Sequence, residues 1–253
     1  MDADKLNDFI NDNISDFHKN RIDSLNKLKL TDVLKRKNLY LYKAKNIKTS
    51  EELIKSVTDA YLSSREETIF GEFLEKLAIF VSKETRNGFK SGIEGIDLEI
   101  IDEKTRYIIS IKSGPNWGNS SQINKMADYF SKAKKILKTQ NPAQSLTQVV
   151  AINGCCYGKD NQPYKSKGDY YKLCGQAFWS FISDKEDFYL SVIEPLGYKA
   201  KEKNEYFGIE YAKMINKFSR EFLNTYFLED GSIDWIKIVK LNSENKSNIN
   251  YYI

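Results

Sequence analysis

Apolar positions in the first part of the chain recur at helical spacing. Leu6, Phe9, Ile10, Ile14 and Phe17 share one face, and Leu25, Leu28, Leu30, Val33 and Leu34 continue the pattern. Thr49-Ser50-Glu51-Glu52 reads as a capped helix start. Over 64–83, Phe70, Phe73, Leu74, Leu77, Ala78 and Val81 predict a strong amphipathic helix, which Asn87-Gly88 breaks. The period then drops to two. Ile96-Asp97-Leu98-Glu99-Ile100 and Tyr107-Ile108-Ile109-Ser110-Ile111 alternate around the polar stretch Asp102 to Thr105, which predicts a β-hairpin. A polar loop from Lys112 to Asn119 leads to a helix over about 121–138, and Gln148 to Asn153 reads as a third strand. The stretch 154–170 is expected to be an exposed loop. A helix near 175–182, a short helix or strand near 188–193 and a long helix over 205–228 follow. The segment 232–240 reads as a late strand or a helical turn. The order predicts an α/β core, a small mixed β-sheet flanked by helices, with helical N- and C-terminal additions. The regions 1–59, 60–200 and 201–253 are expected to pack as one compact unit.

Composition narrows the chemistry. With 253 residues and 41% hydrophobic content the chain is long enough for a substantial core. No apolar run is long enough to span a bilayer, and the start of the chain lacks a signal-peptide pattern, so a cytoplasmic protein is expected. Its three cysteines, Cys155, Cys156 and Cys174, suit reduced thiols better than a disulfide framework. His18 is the single histidine, with no partner nearby in the sequence, and is expected at the surface. A histidine-rich zinc site and a Ser-His-Asp triad are therefore disfavoured. The sequence holds neither a CxxC pair nor a phosphate-cradling glycine motif. Carboxylates, lysines and hard metal ions are the remaining reagents. The net charge of +4 permits nucleic-acid binding without demanding it.

Asp97 and Lys112 stand out on those terms. One begins a predicted strand and the other ends its partner, so the hairpin brings both to one end of the sheet. A strand-borne carboxylate can hold Mg²⁺ against a scissile phosphate, and a nearby lysine can orient water or neutralise developing charge. Solvated strand ends carry the same residue types, so this pair alone is weak. Glu72 and Glu75 on the preceding helix can add a carboxylate; an exposed helix position is the better reading of Glu72.

Gly95-Ile96-Asp97-Leu98-Glu99, together with Ile109-Ser110-Ile111-Lys112-Ser113-Gly114-Pro115-Asn116-Trp117-Gly118-Asn119, resembles the core of the PD-(D/E)XK nucleases, and more narrowly the type II restriction endonucleases. The segments 172–179 and 193–198 are similar to segments of the same enzymes, and the resemblance covers roughly 66–200. It implies a restriction-endonuclease-like fold and Mg²⁺-dependent, sequence-specific hydrolysis of double-stranded DNA in prokaryotic restriction-modification defence. It also implies a homodimer, with a cognate DNA methyltransferase as genetic partner. Asp97 and Lys112 match the catalytic pattern. Ser110 stands where that pattern has an acid, and a hydroxyl is a poor substitute for an anionic ligand. Glu99, two residues after Asp97 and on the same strand face, is the expected replacement beside Asp97 as metal ligand, with Glu75 as a further member of the catalytic site. Glu99 can equally serve as a cross-strand partner of Lys112 or Arg106. Another nuclease of the superfamily, acting in repair or on DNA structure, and a catalytically weak DNA-binding module are the alternatives.

DNA contacts are expected from Ser113, Asn116, Asn119 and Gln122 around the loop, and from Lys165, Lys167 and Lys172 further on. Lys125, Lys132, Lys134, Lys135 and Lys138 form a basic helix face, which in a lysine-rich chain more often is a solvated surface. Asn153, Asn161 and Gln162 are further candidates for base contact. Trp117 is expected to pack and hold its loop, and the adjacent Cys155 and Cys156 to be buried. The apolar stripes Leu25 to Leu34 and Ile209 to Phe222 need a cover, which either the core or a second subunit can supply.

Overall fold

A computed structural model describes residues 1–140, 148–164, 169–197 and 200–244. It divides the chain into two compact units, Met1–Asp16 with Phe70–Tyr198, and Phe17–Ile69 with Lys199–Ile253. Both N-terminal helix α1 (Ala3–Asn26) and the long α4 (Ser50–Arg86) contribute to both units. The capped start at Thr49 and the amphipathic segment 64–83 therefore belong to one continuous helix. It ends at Arg86, and the next residue, Asn87, takes a left-handed φ of 51°, a conformation asparagine tolerates.

The first unit is built on a five-stranded mixed sheet in sequential order. The short β1 (Phe89–Lys90), β2 (Leu98–Asp102) and β3 (Thr105–Lys112) run antiparallel; β4 (Gln148–Cys155) and β5 (Tyr171–Cys174) continue parallel to β3. The β2–β3 pair is the predicted hairpin. The helix α5 (Ser120–Gln140) makes the crossover that a parallel β3–β4 pair requires. Its apolar face, Met126, Phe130, Ala133 and Leu137, packs on Ile96, Ile108 and Ala151. The predicted loop 154–170 proves shorter, because β4 extends through buried Cys155. β1 and β5 escape the sequence reading because each is too short to show a period. After β5, α6 (Gln176–Ser183) and the single turns α7 (Phe188–Ser191) and α8 (Ile193–Leu196) complete this unit.

The second unit is helical. It combines parts of α1 and α4 with α2 (Leu30–Arg36), α3 (Leu39–Ala44), α9 (Ala200–Thr225) and α10 (Trp235–Ser243). The segment 232–240 is thus mainly helix, begun by Asp234, which caps Lys237 N. The two stripes that needed a cover largely supply it to each other. Leu25, Leu28, Leu30, Val33 and Leu34 share one buried cluster with Met214, Phe218 and Phe222, while Ile209 stays exposed.

His18 is half-buried, a correction to its expected surface position. Its Nδ1 is buried without a hydrogen-bond partner among the described residues. Burial, then the positive charges of Arg21 and Lys203, lower its pKa. In the unfolded chain the imidazole therefore takes up a proton at a higher pH than in the fold. Stability is expected to fall as pH drops from about 6.5, the ordinary histidine value, toward the lowered one. His18→Gln should remove that portion of the acid sensitivity, as read from chemical unfolding at pH 7.5 and 5.5.

Candidate active site

The antiparallel register pairs Leu98 with Ile109, so the next step sets Asp97 opposite Ser110. Asp97 lies one residue before β2, and its backbone N–H donates to Ile109 O at 2.9 Å, continuing the ladder. Its side chain then takes over from the backbone. Asp97 Oδ2 accepts the Ile111 N–H at 2.6 Å and the Ser110 hydroxyl at 3.4 Å. Lys112 Nζ lies 3.9 Å from the same oxygen. Oδ1 takes no hydrogen bond among the described residues. Residues 110 and 112 share a strand face, so Asp97, Ser110 and Lys112 meet at one end of the sheet.

Glu75, half-buried on α4, is coupled to this pair. Burial raises its pKa, the Asp97 charge raises it further, and Lys90 and Lys112 act in the opposite direction. Lys90, on β1 beside Leu98, is a member of this charge cluster that the sequence did not single out. A two-residue strand leaves no alternation to mark it.

Glu99 takes Arg106 as its cross-strand partner, the alternative to a metal ligand. It is buried, its Oε2 accepts from Arg106 Nε at 2.6 Å, and its Oε1 accepts from Ser91 Oγ at 2.7 Å. Both oxygens are engaged, so a shared ligand position with Asp97 does not fit this arrangement. Glu99 shares a strand face with Asp97, but Arg106 on the neighbouring strand competes for its carboxylate.

The loop after β3 is pinned at several points. Beyond the register partners Lys112 and Cys155, Lys112 O and Ser113 O accept the N–H groups of Cys156 and Tyr157 at 2.9 and 3.1 Å. Gly114 lies against the Tyr157 ring so closely that an added Cβ would stand 2.2 Å from Cζ. At the far end, Asn119 Oδ1 accepts Gln122 N–H at 3.1 Å and Gln122 Oε1 accepts Asn119 N–H at 3.0 Å. This reciprocal cap opens α5 and uses the acceptor groups of both side chains. Asn119 and Gln122, expected to touch DNA, thus hold the loop. Ser113 is half-buried and Asn116 exposed.

Lys172, expected to contact DNA, straps the loop in the free chain. It is buried, donates to Pro115 O at 3.0 Å and pairs with Asp160. Burial opposes its charge, but the hydrogen bond and attraction of Asp160 outweigh burial and raise its pKa. Asn153 is buried, Asn161 Oδ1 accepts Cys174 N–H at 2.7 Å, and Gln162 Nε2 donates to Asp160. These polar groups serve the scaffold, which explains why composition alone could not separate them from base-reading residues. On α5, Lys134 pairs with Asp169. Lys165 and Lys167 lie outside the described residues. The three cysteines are buried, as expected for Cys155 and Cys156. Burial, then Cys174, push the Cys155 thiol up to about 12, which argues against a thiolate nucleophile.

Among the described residues no group of three or more His, Cys, Asp or Glu side chains is placed to hold an ion. Asp97 and Glu75 lie within electrostatic reach of each other, and Mg²⁺ commonly takes one or two carboxylates and keeps water or phosphate in its other positions. A cavity of about 970 Å³, lined in part by Phe70, Leu74, Trp179 and Val192, includes none of Asp97, Lys112 or Glu75.

The five-stranded mixed sheet flanked by helices is consistent with a restriction-endonuclease-like fold. The family model described as type II restriction endonuclease EcoO109I matches residues 4–204. The chain belongs to that family and is a type II restriction endonuclease, a site-specific deoxyribonuclease that binds DNA. No curated protein matches the chain. No helix among the described residues is long and apolar enough to cross a membrane.

Proposed function

We propose that the chain hydrolyses phosphodiester bonds of double-stranded DNA at a PD-(D/E)XK-type site formed by Asp97, Glu75 and Lys112, with Mg²⁺. The observation that carries this reading is the meeting of the Lys112 ammonium and the Asp97 carboxylate at 3.9 Å, within the electrostatic reach of Glu75. Glu75 replaces the acid missing at Ser110; Glu99 remains in its ion pair with Arg106. When bound, Mg²⁺ would supply charge stabilisation at the phosphate and make the attacking water more acidic. Asp97 and Glu75 would hold the ion. The hydrogen bond from Ile111 fixes the Asp97 carboxylate, and Lys112 brings a positive charge to the phosphate or orients the attacking water. Asn116 at the loop tip is positioned to approach the duplex, and Lys165 and Lys167 add phosphate contacts.

The biological setting follows the same reading: prokaryotic cytoplasm, restriction-modification defence, and a DNA methyltransferase encoded alongside. A homodimer suits a palindromic target, because two-fold protein symmetry presents two equivalent sites to two strands. Incubation with unmethylated phage DNA and Mg²⁺ should give discrete fragments, and chelation with EDTA should stop the reaction. A smear would point to a nuclease without sequence preference. Binding without cleavage would point to a DNA-binding module that Ser110 has weakened.

A further inference from the structure

We propose that Trp117 is a positioning residue, holding the Lys112 ammonium in place through its indole face. This rests on the catalytic reading of Lys112 given above. Lys112 Nζ lies 5.1 Å from the Trp117 ring centroid, within the range of a cation–π attraction. The same ammonium stands 3.9 Å from Asp97 Oδ2, at the outer limit of an ion pair. It therefore has two described partners of different kinds, a carboxylate and an aromatic face.

The difference matters when a divalent cation is held by Asp97. The positive ion offsets the attraction between Asp97 and Lys112, while the ring quadrupole is unaffected. A lysine ends a flexible four-carbon stem and loses much rotamer freedom when fixed. A neutral partner that attracts the ammonium irrespective of the metal reduces that freedom before the substrate arrives.

The indole is itself anchored. Trp117 is half-buried and packs on the cluster of Ile96, Met126 and Phe130. Its loop is fixed on one side by Lys172 bound to Pro115 O, and on the other by the Asn119–Gln122 cap. The Lys112 backbone is fixed by Cys156 N–H on Lys112 O. Both partners thus sit on restrained backbone, so the ring can set where the ammonium resides. The spacing is short as well: four residues, Ser113 to Asn116, lie between the lysine and the tryptophan.

The test is a graded series at position 117. Mono-, di- and trifluorinated tryptophan keep the shape and packing of the indole while withdrawing density from its face. With a supercoiled plasmid that the wild-type protein cuts, the single-turnover rate in Mg²⁺ is expected to fall stepwise, by about ten-fold over the series. KM for the plasmid and the melting temperature should stay constant. Trp117→Phe should retain more rate than Trp117→Leu, because phenylalanine keeps an aromatic face. A flat fluorination series would overturn the proposal, even if Trp117→Leu fails to fold. So would a rise in KM at unchanged rate, which would make Trp117 a DNA contact. Lys112→Ala, measured alongside, separates the two levels. Wild-type cleavage by that variant would remove the catalytic reading itself, whereas an inactive Lys112→Ala with a flat series would remove only the role of Trp117.

Discussion

Asp97→Asn is expected to lower Mg²⁺-dependent cleavage by on the order of 10³-fold or more, and Lys112→Ala by a comparable factor. In the proposed site the carboxylate at position 97 has two functions. It accepts the Ile111 N–H, which an asparagine oxygen can still do, and it carries the negative charge that a metal needs. Asn therefore keeps the local ladder while removing the charge. Lys112 has a partly exposed side chain, so its truncation should cost little stability. DNA binding measured in Ca²⁺, which supports binding without requiring turnover, should persist in both variants. Wild-type-like cleavage by either one would dismiss the Asp97–Lys112 site.

The second large effect separates two glutamates with opposite consequences. Glu75→Gln should reduce cleavage by about 10²-fold or more and should stabilise the metal-free protein. Burial and the neighbouring Asp97 charge raise the Glu75 pKa, so the fold favours its neutral form. Stability is therefore lost as pH rises from the unfolded carboxyl value through the raised folded one, and Gln escapes that loss. At pH 7.5 the variant should melt above wild type. Added Mg²⁺ should raise the melting temperature of wild type more than that of the variant, by mass action on the folded state. Glu99→Ala should do the reverse. It leaves Arg106 without its buried partner, at a cost of about 3 kcal/mol, or roughly 10 °C for a chain of this size. Its residual folded fraction should cleave at a near-normal rate. If Glu99→Ala proves well folded and inactive while Glu75→Gln cleaves normally, the second acid is Glu99 after all.

Local pattern determined much of the architecture. The change from a 3.6-residue to a two-residue period at Ile96 located the hairpin, and antiparallel pairing of its strands sets Asp97 and Lys112 at one end. The amphipathic faces of α4 and α5 were visible for the same reason: each buries one stripe on a neighbour and exposes the other. Residue types and spacing along β2 and β3 also carried the family resemblance. Periodicity has no purchase on β1 and β5, which are held by pairing with longer strands and are too short to repeat.

Side-chain allegiance was decided only in three dimensions. Glu99 and Glu75 are equally plausible acids in sequence, yet Arg106 and Ser91 claim both oxygens of one, while the other shares the field of Asp97 and Lys112. Lys172 looks like one more surface lysine until the return of β5 brings it to Pro115 and Asp160. The stripes of Leu25 to Leu34 and Met214 to Phe222 were plainly apolar, but their mutual burial depends on segments nearly two hundred residues apart meeting in one helical unit. Sequence determines which groups seek partners, by their apolarity, charge and local period. The tertiary fold determines which partner each one reaches, because competition among hydrogen bonds and ion pairs is settled by distance in space.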